Sequence, residues 1–155
     1  MKRFHVHVAV DNIEENIRFY STVFNSPPTV SNPDYAKWML DDPRINFAIS
    51  QRGLTPGIDH LGVQVESAEE LTVLREQVGR AEIAARDQSN AICCYARSDK
   101  YWITDPQGIA WETFHTLDSV PVYGDRMPQV SAEPETCCTP APAIAIQPEK
   151  KTACC

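Results

Sequence analysis

All six cysteines of this chain fall in adjacent pairs: Cys93-Cys94, Cys137-Cys138 and Cys154-Cys155. Neighbouring cysteines make a poor disulfide with each other, because the small ring distorts the peptide between them. They are well placed to grip one soft, thiophilic atom with two sulfurs. His5, His60 and Glu112 supply a second kind of chemistry, the residue types of a mononuclear metal site. Each has an ordinary reading alone: a surface histidine near a terminus, a histidine ending a loop, a solvated strand carboxylate. What sets them apart is where they fall in a repeat.

FHVHVAVDNIEENIRFY aligns with DHLGVQVESAEELTVLR at a shift that places His5 on His60, Val8 on Val63 and Glu15 on Glu70. Both copies alternate apolar residues with period two and then turn helical. Asn12 with Glu15, and Ser67 with Glu70, have helix-start spacing. Ile13, Ile17, Tyr20 and Phe24 mark one helical face, and Leu71, Leu74 and Val78 the other copy's. Strand-like runs follow: Tyr35 to Leu40 and Ile45 to Ser50 around DDPR, then Cys93 to Thr104 and Ile109 to His115 around DPQG. WMLDDPRINFAI against WITDPQGIAWET resumes the repeat.

A duplicated unit of strand, helix and strands implies an α+β fold: two tandem βαβββ modules, about 1–52 and 57–118, curving into an incomplete barrel around a cavity. Across a pseudo-twofold axis His5 and His60 face each other. Glu112 has Ala48 as its counterpart, so one of four symmetric positions is empty. Three protein ligands leave coordination positions open, which suits Fe(II) and dioxygen better than a closed structural zinc site. His7 shares the strand face of His5 and is its main competitor. His115 lies on the face opposite Glu112. Both are read as non-ligands.

The net charge is -7 with no basic stripe, which excludes an ordinary nucleic-acid binder. No stretch is long enough to cross a membrane. The N-terminal run is broken by His7 and Asp11, unlike an export signal. Six cysteines without such a signal point to the reducing cytoplasm. From about Ser119 the composition becomes Pro- and Ala-rich, so 119–155 is expected to be a flexible tail. It carries Cys137, Cys138, Cys154 and Cys155, which either capture soft metalloid for the core or bind it incidentally.

Residues 3–116 resemble the vicinal oxygen chelate superfamily, which includes glyoxalase I, extradiol dioxygenases and fosfomycin-resistance proteins. RFYSTVFNSPPTVSNPDYAKWML, DHLGVQVES and CCYARSDKYWITDPQGIAWE, with a tail of Cys-Cys pairs, look more narrowly like the organoarsenical C–As lyases. Those are Fe(II)-dependent dioxygenases acting on methylarsenite and trivalent aromatic arsenicals. Cadmium-induced proteins are closely similar. The resemblance implies His5, His60 and Glu112 as metal ligands and Cys93 and Cys94 as the substrate-binding, catalytic pair. It implies a trivalent organoarsenical and dioxygen as reactants, inorganic arsenite as product, and a monomer or homodimer.

Such a reaction has a use for each group. A monoalkyl arsenical has two exchangeable hydroxyls, which two thiolates replace, leaving the carbon–arsenic bond to point into the cavity. Arg97 and Lys100 lie near the thiols in sequence, but Lys100 reads as a solvent-facing strand residue. Tyr95, Tyr101 and Trp102 would form an aromatic wall, although Trp102 and Trp111 suit core packing equally. The rivals are a glyoxalase or thiol transferase, an extradiol dioxygenase, and a cysteine-based cadmium buffer. The first two leave the dithiol without a use; the last needs none of His5, His60 and Glu112.

Overall fold

Each half of the chain folds as strand, helix and three strands, so the repeat seen in the sequence is a repeat in space. The computed structural model describes residues 1–80 and 85–124. The first module is β1 (Arg3–Ala9), α1 (Ile13–Val23), β2 (Val30–Asn32), β3 (Tyr35–Asp41) and β4 (Arg44–Ser50). The second is β5 (Gly57–Val65), α2 (Ala68–Gly79), β6 (Arg86–Cys93), β7 (Ala96–Thr104) and β8 (Ala110–Ser119). One eight-stranded sheet has the order β2-β3-β4-β1-β5-β8-β7-β6. Read from the middle outward, that order is the same in both modules, with the pseudo-twofold between β1 and β5. Among the described residues no helix is long and apolar enough to cross a membrane.

The helices start where the sequence predicts. The Asn12 side chain accepts from the Glu15 backbone N–H at 3.0 Å, and the Ser67 hydroxyl from that of Glu70 at 3.2 Å. Glu70 reaches back to the Glu66 N–H at 2.9 Å, one residue ahead of the cap.

Period-two alternation then divides the sheet by chemistry. Trp38, Phe47 and Ile49 face outward into the core under α1, with Val10, Ile13 and Ala36. Tyr20 of α1 and Phe24 at its C-cap pack their rings on Phe47 and Trp38. The concave face carries His5 and His7 of β1 and Asn46 and Ser50 of β4, all buried polar residues. A curled sheet with helices only outside has no apolar layer to fill its concavity. The chemistry of the protein therefore sits on that face.

Two strand readings are corrected. The predicted strand from Cys93 to Thr104 is a hairpin: β6 ends at Cys93, β7 begins at Ala96, and Cys93 pairs with Ala96. Cys94 and Tyr95 form the two-residue turn, both at φ 60°. Tight hairpins need that left-handed pair and normally use Asn-Gly; the Cys-Tyr sequence hides the turn. Strand β2 is also new, and is only three residues long. Ordered contacts run past 118: Val120 N–H donates to the Tyr95 carbonyl at 3.0 Å, and the Tyr123 ring packs on Tyr35. The four tail cysteines lie outside the described residues.

Candidate metal and dithiol site

Of the two central strands, β1 delivers His5 and His7 to the concave face and β5 delivers His60, while β8 delivers the Glu112 carboxylate. His5 Nε2 and His60 Nε2 are 3.2 Å apart. Glu112 Oε2 is 3.8 Å from the first and 3.6 Å from the second. The centre of that triangle lies about 2 Å from each corner, the length of a first-row metal bond to imidazole or carboxylate. The outer nitrogens are already used. His5 Nδ1 is 2.9 Å from the Asn46 carbonyl, and His60 Nδ1 is 3.0 Å from Asp59 Oδ2. Both acceptors fix a proton on Nδ1, so each Nε2 is the nitrogen that would offer its lone pair to a metal at the centre, the usual support of a metal-binding imidazole. The donor set thus fits a divalent first-row cation.

The electrostatics agree. Burial alone would raise the Glu112 carboxyl, but the Lys100 ammonium and then His60 overcome it and hold it far below the usual carboxylate range. Burial also disfavours the His60 imidazolium, yet Asp59 and Glu112 override it and push that pKa up to about 9. Burial, with His60 alongside, lowers His5 to about 4. One imidazole is neutral and the other carries a positive charge at the centre of the triangle, where a cation would replace its proton.

The dithiol belongs to the same cleft, which is lined by His5, Glu112, Cys93 and Cys94, among others. The Cys93 and Cys94 sulfurs are 2.9 Å apart and unbridged. A hydrogen bond from Cys94 lowers the Cys93 thiol to about 7, against burial and helped by Lys100. The same bond and burial raise Cys94 well above its ordinary value. One thiolate and one thiol therefore stand side by side near neutral pH. Their turn is latched to the first module: Tyr95 Oη donates to Asp34 Oδ1 at 2.7 Å, and Arg52 holds Asp34 Oδ2 at 2.7 Å.

A family model described as the Glyoxalase/Bleomycin resistance protein/Dioxygenase superfamily matches residues 2–113. The chain belongs to this superfamily. It is 38% identical to the "Trivalent organoarsenical cleaving enzyme" of Bacillus sp. (strain MD1), over 100% of this chain and 91% of that protein. It is 30% identical to the protein of the same name from Thermomonospora curvata, over 90% of each chain. It is 31% identical to "Cadmium-induced protein CadI" of Mycobacterium tuberculosis, over 80% of this chain and 82% of the other. Among solved structures, homoprotocatechuate 2,3-dioxygenase from Arthrobacter globiformis matches with TM-score 0.57 at 15% identity, over 75% of this chain and 36% of that one. The Mn(II)-bound glyoxalase from Novosphingobium aromaticivorans matches with TM-score 0.56 at 14% identity, over 83% and 44%. These two likenesses concern the fold.

Within the superfamily fold, the pairing makes Ala48 the counterpart of Glu112. His7 pairs with Ala48 on the parallel β1–β4 edge, and Gly62, its repeat equivalent, pairs with Glu112 on β5–β8. Gly62 is required there, because a Cβ would lie 2.1 Å from the Glu112 backbone oxygen. His7 shares the concave face, and His5, His7 and His60 have ligand atoms within 4.8 Å of one another. His7 Nε2, however, is 2.9 Å from Ser50 Oγ. His115 lies opposite Glu112, as the alternation predicts.

Lys100 does not face solvent. It is 7% exposed, and its ammonium donates to Glu112 Oε1 at 2.5 Å, leaving Oε2 for the triangle. Tyr101 is not in the cleft either; it points away with Arg75 of α2 over its ring at 5.5 Å. Trp102 does face inward, edge-on to His60 with centroids 5.2 Å apart. Tyr95 packs its ring against Tyr35 and Tyr123. Sequence reasoning missed Asp59, Asp34, Ser50 and Tyr123. Asp59 had a signal, an acid directly before the histidine; the others are brought in only by strand pairing.

Proposed function

We propose that this protein is an Fe(II)-dependent dioxygenase that cleaves the carbon–arsenic bond of trivalent organoarsenicals, methylarsenite and aromatic arsenicals among them, to give inorganic arsenite. The observation that carries the reading is that a vicinal dithiol lines the same cleft as His5 and Glu112, two corners of a triangle that His60 completes. Relatives named for organoarsenical cleavage, similar over nearly their whole length, support it. The absence of any membrane-length helix among the described residues is consistent with work in the cytoplasm.

His5, His60 and Glu112 would hold the iron, which supplies dioxygen activation when bound. The chain's own groups do the rest. Cys93, as thiolate, and Cys94 replace the two arsenic hydroxyls and leave the carbon substituent as the one group free to enter the cleft. Fixing the reacting bond in this way removes on the order of 7 kcal/mol of barrier in favourable cases. Lys100 neutralises Glu112 and keeps one oxygen directed at the triangle. Asp59 and the Asn46 carbonyl fix the imidazole tautomers. Trp102 and Phe114 flank the histidines with apolar surface that excludes water.

The test is anaerobic reconstitution with Fe(II), addition of methylarsenite and reductant, then admission of oxygen while arsenite is followed. Multiple turnovers are expected, abolished by Cys93→Ser and separately by Glu112→Ala, with 1:1 arsenical binding retained in Glu112→Ala. Turnover without dioxygen, or unimpaired in Glu112→Ala, overturns the proposal. A second reading, a soft-metal buffer, takes support from the cadmium-induced relatives. It predicts stoichiometric binding without release.

A further inference from the structure

Lys37 projects from β3 into the cleft that holds Cys93 and Cys94. Register puts it there, since it pairs with Ala48, which pairs in turn with His7 on the concave face. The other lysine of the cleft, Lys100, is committed to Glu112. The Lys37 ammonium has no hydrogen-bond or ion-pair partner among the described residues. Burial lowers its pKa, and Cys94 is the group that offsets this. Diagonal to it on β4, across from Met39, is Asn46, which is 3% exposed. Asn46 Nδ2 donates to Gln64 Oε1 at 2.9 Å, but Oδ1 is buried with no partner, in the same cleft.

A buried acceptor without a partner is costly, and so is a half-buried ammonium. Both tend to persist where a ligand satisfies them. A donor and an acceptor open on neighbouring strands match a pair of hydroxyls, one accepting from the donor and the other donating to the acceptor. If Cys93 and Cys94 anchor the arsenical, as proposed above, the hydroxyls in question are the two on arsenic as the substrate arrives. We propose that Lys37 is the general acid of arsenical capture, protonating the arsenic-bound hydroxyl that departs, while Asn46 Oδ1 accepts a hydrogen bond from the other hydroxyl and orients the arsenic.

The step balances. The Cys93 thiolate forms an As–S bond, the As–O bond breaks, and the Lys37 proton turns the leaving hydroxide into water. The neutral amine then takes the Cys94 thiol proton, Cys94 forms the second As–S bond, and that proton leaves with the second hydroxyl as a second water. Lys37 is reprotonated from solvent. Arsenic stays trivalent and nothing is oxidised. Hydroxide is a poor leaving group, so an acid matters here in a way it would not for a thiolate leaving group.

The experiment is stopped-flow capture of phenylarsenite by the full chain under anaerobic conditions, compared with its bis(2-mercaptoethanol) adduct. Lys37→Met is expected to slow capture of the hydroxyl form by about 100-fold. It should leave the thiol adduct within a few-fold of the parent, which also shows that the variant is folded. Lys37→Arg should not restore the rate, because a guanidinium does not give up its proton. Asn46→Leu should slow the hydroxyl form selectively as well. Equal slowing of both forms, or a parent rate for phenylarsenite in Lys37→Met, overturns the inference. Parent-like kinetics in Lys37→Met, with capture lost in Cys93→Ser and Cys94→Ser, would sink this inference alone. Capture that persists without the two thiols would sink the anchoring reading beneath it.

Discussion

Cys93, Lys100 and Glu112 carry charges at the site that only their neighbours make tolerable. The Cys93 thiolate is favoured by the hydrogen bond from Cys94, so the pair gives up its first proton near pH 7. Thiolate rises with pH, so alkylation by iodoacetamide should climb through pH 7 and level off above 8. Cys94→Ala removes the donor, and the midpoint should move upward toward that of an ordinary cysteine; an unmoved midpoint would refute the assignment. Lys100 and Glu112 are both buried and joined at 2.5 Å. Removing one partner leaves the other uncompensated in a poorly solvated site. Urea unfolding of Lys100→Met should therefore show a loss of about 3 kcal/mol at neutral pH. Glu112 is held charged in the folded state, so that penalty should shrink on acidification as the orphaned carboxyl takes a proton.

At the scale of elements, what matters is how closely strands approach and how turns are made. The β5–β8 edge places Glu112 opposite Gly62, and there is no room for a Cβ. In Gly62→Ala the two strands must part, and Glu112 with them. The expected outcome is a destabilisation of about 3 kcal/mol by denaturant unfolding, with weakened binding of Co(II) as a spectroscopic probe. Retention of parent Co(II) affinity would show that the strands can yield without moving the carboxylate. The Cys94–Tyr95 turn is the opposite case, a place where the element tolerates strain. Two non-glycine residues at φ 60° are costly, and such strain tends to occur at functional sites. Here it sets the two sulfurs side by side at the tip of a hairpin, and Asp34 of the first module holds the tip down through Tyr95.

The whole molecule is one sheet made by two modules, and neither module is complete alone. β1 pairs with β4 of its own module on one side and with β5 of the other module on the second. A fragment of residues 1–54 would expose that second edge and the face of His5 and His7. It is expected to show coil-like far-UV circular dichroism alone and to gain native signal when mixed with residues 55–155; a natively folded fragment would contradict this. The sequence by itself determined the repeat, the helix starts and the equivalence of His5 with His60, because period-two and period-3.6 patterns and capping spacings are local properties. It also matched Glu112 with Ala48 as its repeat counterpart, because the duplicated module carries its own register. Lys100 was within reach: counting back from Thr104 opposite Ala110 places it across from Phe114, on the face of Glu112. Only the tertiary structure decided that Lys37 and Asn46 share the cleft of the dithiol, that Tyr123 meets Cys94 and that Asp34 holds its turn, since they lie far from it along the chain. Curling the sheet brings β3 and β4 of one module over the β6–β7 hairpin of the other, and no local pattern encodes that closure.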